Sequence, residues 1–111
     1  MEWYQIKQSE ELSSPALVVY LERIEHNIQE MLQIAGSADR LWPHVKTHKM
    51  SAIVALQKKQ GITKFKCATT SEMLMLARAG VDKILLAHQP SVEKVKTLLS
   101  AQQKFSSTEF S

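Results

Sequence analysis

Apolar residues recur along the chain in two alternating patterns, short continuous runs and longer helical repeats. The short runs occupy residues 16–20, 41–47, 64–68 and 83–87, and runs of this length that contain β-branched or aromatic side chains are typical of buried strands. Between them, apolar residues recur every three or four positions with charged residues in the gaps, which indicates amphipathic helices. The sequence therefore predicts four strands, each followed by a helix.

Local signals mark where these helices begin and end. A glycine follows each of the first three predicted helices: Gly36, Gly61 and Gly80. Glycine readily adopts the left-handed conformation that ends a helix. The stretch from Thr69 to Glu72 matches a capping box, in which a hydroxyl and a carboxylate accept backbone N–H groups. Ser91 is predicted to cap the fourth helix, which runs through Leu99, and the chain is polar after Lys104.

Regular alternation of strands and helices predicts an α/β fold with a parallel sheet, because right-handed βαβ units are the usual way to connect such elements. The sheet could be a small doubly wound sheet or part of a (β/α)8 barrel. A complete barrel takes about 250 residues, and this chain has 111. If the sheet is part of a barrel, this chain can hold only about half of one and the barrel is truncated, with residues 1–14 as a polar lead segment and residues 15–111 as the partial barrel domain.

Composition and charge exclude several classes of function. The 14 basic and 11 acidic residues are interleaved, so the sequence has no basic stripe of the kind that binds nucleic acid. The single cysteine, Cys67, precludes an internal disulfide and suits a reducing compartment, where a buried and inert thiol is the usual state. We find no signal peptide and no apolar run of roughly 18 residues that would span a membrane. We predict a soluble, cytoplasmic protein without nucleic-acid or membrane partners.

The most unusual stretch is RLWPHVKTHK, residues 40–49, in which a lysine lies between two histidines. Side chains alternate between faces along a strand, so His44, Lys46 and His48 are predicted to share one face. Desolvation or nearby cations lower the pKa of a lysine from its usual value of about 10.4, and the neutral amine can attack a carbonyl. The stretch therefore predicts a Schiff-base lysine.

Two other interpretations of this stretch remain open. A basic, partly exposed strand whose lysines extend their charged ends into solvent also explains it. A zinc ion shared by His44 and His48 is a weaker interpretation, because residues four apart on a strand are attached about 13 Å apart. Histidine pairs with this spacing bind zinc when they lie on a helix, so we assign no metal ligand.

Several stretches together resemble one enzyme family. They are residues 14–19 with Leu21, Asn27 and Ile28, residues 42–49, residues 68–72, and residues 79–87. They resemble the N-terminal part of the fold-type III pyridoxal-phosphate enzymes, and within these the D-threonine aldolase and D-serine dehydratase group, which is related to the N-terminal domain of alanine racemase. The resemblance extends from Ser14 to about Ser100, and PHVKTHK is its most specific part.

The resemblance implies a cofactor, a site and a reaction. In the family, the lysine after PHV, here Lys46, binds pyridoxal 5′-phosphate (PLP) covalently at the end of an early barrel strand, whereas Lys49 is the weaker candidate. PLP withdraws electrons from the α-carbon of an amino acid. The implied activity is that of a lyase acting on small D-amino acids, a dehydratase or an aldolase rather than a racemase. Lys46 is also implied as a base, with His44 and His48 in supporting roles, although a structural role for either histidine is equally open.

The resemblance also indicates what the chain lacks. Complete members continue through further barrel strands that hold the cofactor phosphate and ring, and into a C-terminal β-domain that carries a divalent metal in the metal-dependent members. We therefore expect an N-terminal fragment that is inactive alone, with a metal only in the full-length enzyme and exposed sheet edges that favour a homo-oligomer. Two alternatives remain: a non-catalytic PLP-binding protein of the same barrel type, and a structural fragment without activity.

Overall fold

The computed structural model describes residues 2–111 and shows the predicted α/β class. Four helices lie at Leu21–Ala35 (α1), Ser51–Lys59 (α2), Thr70–Arg78 (α3) and Val92–Lys104 (α4), and single 3-10 turns lie at Ser9–Glu11 and Ala38–Arg40. Three strands lie at Lys64–Cys67 (β1), Lys83–Leu86 (β2) and Glu109–Phe110 (β3). They form one parallel sheet in the order β1-β2-β3. Within the described residues, no helix is both long enough and apolar enough to cross a bilayer.

One face of the sheet packs against the helices and forms the core. In both β1 and β2 the second and fourth residues are buried, while the first and third are partly exposed on the opposite face. The buried strand residues meet apolar side chains from all four helices, and the strand and helix members of this core are Phe65, Cys67, Ile84, Leu86, Ile28, Val54, Met73, Leu76, Ala77 and Ala101. The alternation that defines a strand thus places the core on one side of the sheet.

The predicted helix ends are confirmed. Gly36 follows α1 with φ +81 and donates its N–H to Leu32 O at 2.9 Å. The Thr69 hydroxyl accepts the Glu72 N–H at 3.1 Å at the start of α3, and the Ser91 hydroxyl accepts the Lys94 N–H at 3.3 Å at the start of α4. These ends were predictable because a cap depends on residues only a few positions apart.

Residues 16–20, predicted as a buried strand, belong to no sheet and are largely exposed. Leu17 is 69% exposed. Tyr20, at the end of the segment, instead contacts the lead segment: its hydroxyl donates to Tyr4 O, and its ring lies 5.3 Å from that of Trp3 in an edge-to-face contact. The prediction was wrong because a strand also needs a neighbour for its backbone N–H and C=O groups, and the described chain places none beside this segment.

The strand predicted at residues 41–47 is reduced to one bridge. His44 pairs in parallel with Lys66 of β1, and the Val45 N–H donates to Lys66 O at 3.0 Å. The chain then turns at residues 46–48 instead of continuing along the sheet. The strand alternation that was predicted to place both histidines and the intervening lysine on one face therefore does not apply.

The chain after Lys104, which the sequence analysis treated as a polar tail, contains β3. Glu109 pairs with Lys83 in the sheet, and their side chains form an ion pair at 3.2 Å. The buried Thr108 anchors the approach to this strand by donating its hydroxyl to Val81 O at 2.8 Å. A two-residue strand is too short to produce a periodic pattern in the sequence.

Candidate functional site

Lys46 lies where the chain leaves the sheet at its carboxyl edge. The bridge at His44 runs parallel to β1, and β1 runs parallel to β2, so the residues that follow all three segments meet at one edge. Val45 is fully buried, whereas Lys46 is exposed. In α/β proteins with parallel strands, ligands bind at the carboxyl edge. The predicted lysine therefore lies at the edge where such a fold forms its site.

A closed turn at residues 45–49 presents Lys46. The Lys49 N–H donates to Val45 O at 2.8 Å, which closes the turn. Lys49 has φ +52, within the left-handed region that residues other than glycine rarely adopt. For an ordinary L-residue this conformation costs about 1–2 kcal/mol, so other contacts must hold the turn closed.

Two imidazole rings accept backbone N–H groups within this segment. His44 Nδ1 accepts the Lys46 N–H at 3.1 Å, and His48 Nδ1 accepts the Met50 N–H at 2.9 Å. A neutral imidazole has one acceptor nitrogen and one donor nitrogen, so this geometry corresponds to neutral rings that carry their proton on Nε2. Each histidine thus fixes the backbone two residues ahead, and protonation of the ring would replace the acceptor by a donor.

The environment of His48 favours the neutral ring that this geometry uses. Burial lowers the pKa of half-buried His48 below its ordinary value, and the negative charge of Glu72 opposes that shift without reversing it. The Met50 N–H, to which His48 is bonded, belongs to the residue that immediately precedes α2. His48 therefore connects the lysine turn to the start of the next helix.

A buried carboxylate follows β1 at the same edge of the sheet. Glu72 is 3% exposed, and its Oε1 and Oε2 accept the Ala68 N–H at 3.0 Å and the Thr69 hydroxyl at 2.8 Å. The predicted capping box is present, but the carboxylate bonds to Ala68, one residue before the cap. Both carboxylate oxygens are therefore engaged, and the charge of Glu72 is fixed in position.

Glu72 carries its charge at neutral pH although it is buried. Burial by itself raises the pKa of this carboxyl, but the hydrogen bonds from Ala68 and Thr69, together with attraction to Lys49, hold it below its ordinary value. Glu72, Lys49 and Thr69 line one cleft with Ser71 and Met75. The lysine turn and the turn after β1 thus face each other across this cleft.

Cys67 is the last residue of β1 and lies beside these groups, but its thiol is unreactive. Its side chain is fully buried, and burial, with the nearby charge of Glu72, raises the pKa of the thiol to about 12. The nucleophilic form of cysteine is the thiolate, which this pKa makes negligible at neutral pH. The cysteine is part of the core rather than a reactive group.

The exposed amine of Lys46 fits a cofactor that binds covalently to a primary amine. Within residues 2–111, no hydrogen bond or ion pair engages Nζ of the exposed Lys46. An accessible lysine amine is the group that forms a Schiff base with the aldehyde of PLP. For metal ions, no group of three or more His, Cys, Asp or Glu side chains comes together in the described part of the chain.

The sequence analysis selected Lys46, His44 and His48 as candidate site residues. It did not predict that Lys49 and Glu72 line a cleft beside them. It assigned Glu72 only to a helix cap and treated Lys49 as a poor candidate for the cofactor lysine. The structure places both residues on the cleft beside the Lys46 turn. The available signal was topological, because in a parallel sheet the residues that follow neighbouring strands lie at the same edge.

Comparison with known proteins identifies the family of this chain and two relatives. The alanine racemase, N-terminal domain family matches residues 19–106. The chain is 31% identical over 94 residues to D-threo-3-hydroxyaspartate dehydratase from Delftia sp. (strain HT23), which covers 84% of this chain and 25% of that protein. The crystal structure of D-threonine aldolase from Filomicrobium marinum aligns with a TM-score of 0.74 and 29% identity, over 88% of this chain and 26% of that one.

The chain spans about a quarter of the length of these two relatives. Both are fold-type III PLP enzymes, which confirms the resemblance found in the sequence. The matched family segment begins before α1 and ends just after α4, so it contains the lysine turn, the cleft, and both β1 and β2. This chain belongs to the alanine racemase N-terminal domain family.

Proposed function

We propose that Lys46 is the covalent PLP lysine of a lyase that acts on small D-amino acids bearing a β-hydroxyl group. The observation that carries this proposal is the exposed amine at the carboxyl edge of the sheet, on a turn whose backbone is fixed by two neutral imidazoles. The substrate class is supported by the two relatives, which are named for D-threo-3-hydroxyaspartate and D-threonine. Either dehydration or aldol cleavage is consistent with those names.

Each residue of the turn has a proposed role. PLP, when bound, supplies an electron sink for the substrate α-carbon. Lys46 holds the cofactor, and its amine, when released, is placed to move the proton at that carbon. His44 orients Lys46 by accepting its backbone N–H, and His48 fixes the start of α2 through Met50. In this proposal the histidines act on the backbone that carries the reactive group.

We further propose that residues 15–111 form part of a (β/α)8 barrel, preceded by a lead segment at residues 1–14. The helices cover one face of the sheet, as they do in a barrel. The backbone of residues 16–20 has no strand partner, and Leu17, Val18 and Val19 are exposed. Further barrel strands, or a second copy of the chain, would cover these groups. The chain alone is therefore proposed to bind the cofactor without turning over substrate.

The test is to trap PLP on the purified chain with borohydride and to locate the adduct by mass spectrometry. We expect one dominant adduct on Lys46 in wild type, which is lost in Lys46→Ala. Lys49→Arg is the matched control, because it removes a primary amine from the same turn, keeps the positive charge and should retain the adduct on Lys46. Equal labelling of many surface lysines, or labelling that persists unchanged in Lys46→Ala, would contradict the proposal.

A second assay separates cofactor binding from catalysis. The PLP-loaded chain is incubated with D-threonine and D-serine, and aldehyde and keto acid are measured. We expect an adduct on Lys46 without product formation from the isolated chain. Product formation would show that residues 2–111 already contain a working site, whereas the absence of both adduct and product would favour a structural fragment.

A further inference from the structure

The turn that presents Lys46 is closed by a residue that is unfavourable at its position. Lys49 adopts φ +52 while its N–H bonds to Val45 O at 2.8 Å. Glycine or asparagine occupies the left-handed region at lower cost than a long side chain does. A lysine at this position therefore indicates that its ammonium group makes an interaction that offsets the conformational cost of the backbone.

The group that faces Lys49 is the buried carboxylate of Glu72. Both residues line the same cleft, and the attraction between them helps to keep Glu72 ionised. The carboxylate is held at the start of α3 by the Ala68 N–H and the Thr69 hydroxyl. Lys49, by contrast, belongs to an exposed turn. The fixed negative charge thus attracts the more mobile positive charge and, with it, the end of the lysine turn.

We propose that Lys49 and Glu72 form an electrostatic clamp that keeps the 45–49 turn closed and thereby positions Lys46. The identification of Lys46 as the group being positioned rests on the proposed function. Within the described residues the pair makes no direct ion pair, so the clamp acts across the cleft and salt weakens it. His44 and His48 also face Glu72, and both are retained in every variant tested below, so a change on removing the charge of Lys49 is due to Lys49.

Amide hydrogen exchange of the chain without PLP tests the clamp directly. The reporter is the Lys49 N–H, whose bond to Val45 O closes the turn. In Glu72→Gln, and separately in Lys49→Met, we expect this amide to exchange about fivefold faster than in wild type, as expected for the loss of a charge pair near the surface. Lys49→Arg keeps the charge and should exchange like wild type, and added salt should narrow the difference.

Thr69→Ala is the matched control for the loss of local hydrogen bonds without loss of charge. It removes the hydroxyl that caps α3 and that donates to the Glu72 carboxylate, while leaving the charge of Glu72 and its bond to Ala68. We expect faster exchange in the first turn of α3 and unchanged exchange at Lys49. An unchanged Lys49 amide in both charge-removing variants overturns the clamp, as does an equal increase in Thr69→Ala. Lys49→Met alters an exposed side chain, so it remains informative even where Glu72→Gln folds poorly.

Borohydride trapping then connects the clamp to Lys46. We expect the yield of PLP adduct on Lys46 at subsaturating PLP to fall about fivefold in Lys49→Met and Glu72→Gln, and to recover in Lys49→Arg. If wild type gives no adduct on Lys46, the proposed function fails while the exchange experiment still decides the clamp. If exchange responds as predicted but the adduct yield does not, the clamp closes the turn without positioning Lys46, and the inference is overturned.

Discussion

Two turns at the same edge of the sheet are held in chemically different ways. The turn at residues 44–50 uses two imidazole nitrogens as acceptors for backbone N–H groups. The turn at residues 68–72 uses a carboxylate and a hydroxyl. The first presents an exposed lysine, whereas the carboxylate of the second is buried. Both turns lead into a helix, so each determines how that helix begins.

The difference assigns distinct roles to the two turns. A buried carboxylate with both oxygens bonded is costly to disturb, because its donors would be left without partners. An exposed turn held by imidazole acceptors is weaker, because each ring loses its acceptor nitrogen when it is protonated. We infer that the second turn is the fixed support and that the first is the adjustable part, which suits the cofactor-binding role proposed for Lys46.

The largest expected effect comes from removing the fixed support. Glu72→Ala should lower the free energy of unfolding by about 2–3 kcal/mol, because it removes two hydrogen bonds to a charged acceptor, one from the partly buried Ala68 N–H and one from the Thr69 hydroxyl. His48→Ala should cost about 1 kcal/mol, since it removes one neutral hydrogen bond at a half-buried site. Urea unfolding at pH 7 measures both, and equal losses would mean that the two turns are equally important to the fold.

A smaller change in the free energy of unfolding should appear on acidification. The pKa of His48 is lowered from 6.5 by burial, so the unfolded chain binds its proton at a higher pH than the folded chain does. Stability from neutral His48 is therefore complete above about pH 6.5 and is lost as the pH falls through the lowered value. Glu72, whose pKa is lowered from 4.5 by its hydrogen bonds and nearby cations against the effect of burial, loses its contribution only below that range.

Amide exchange measured between pH 7 and pH 5 distinguishes the pH dependence of the two turns. After correction for intrinsic rates, the Met50 N–H should lose protection over this range, while the Glu72 N–H should keep it. His48→Ala is the control, because it should make exchange at Met50 fast at both pH values and remove the pH dependence. Parallel loss of protection at both amides would show that the turns open as one unit.

Helix ends could be predicted from the sequence because their causes are local. Gly36 ends α1, and Thr69 and Ser91 accept N–H groups three residues ahead, all within one helical turn. The strand at residues 16–20 could not be decided in this way. Its composition is at least as apolar and as rich in β-branched residues as that of β2, yet in the described chain β2 has a neighbour on each side and residues 16–20 have none. Composition shows that a segment can be a strand, and pairing decides whether it becomes one.

The candidate site shows the same distinction between features with local causes and features that depend on distant parts of the chain. Lys46 and its flanking histidines could be found because they lie within five consecutive residues. Their predicted arrangement on one strand face was wrong because the chain turns immediately after the bridge at His44. The approach of Glu72 to Lys49 depends on the sheet placing two loops at one edge. Spacing along the chain carries no information about that contact.

The smallest expected change in stability concerns Lys49. It distinguishes the cost of the left-handed backbone at this residue from the contribution of its charge. Lys49→Gly relieves the left-handed strain, worth about 1 kcal/mol, but it loses the attraction to Glu72 and gives the unfolded chain about 0.4–1 kcal/mol of added freedom. Urea unfolding should therefore show that Lys49→Gly is more stable than Lys49→Met, which keeps the strain and should be less stable than wild type by up to about 1 kcal/mol.

The matched control for this experiment is Gly80→Ala. Gly80 has φ +70, and an added Cβ would meet Lys58 Nζ at an ordinary contact distance of 3.6 Å, so its loss of stability measures the left-handed cost less the about 0.4–1 kcal/mol that alanine gains by restricting the unfolded chain. We expect that loss to be about 1 kcal/mol. If Gly80→Ala shows this cost while Lys49→Gly is as unstable as Lys49→Met, then Lys49 is not strained in solution. The exposed turn would in that case be open, and the contrast between a fixed support and an adjustable turn would rest on the histidines alone.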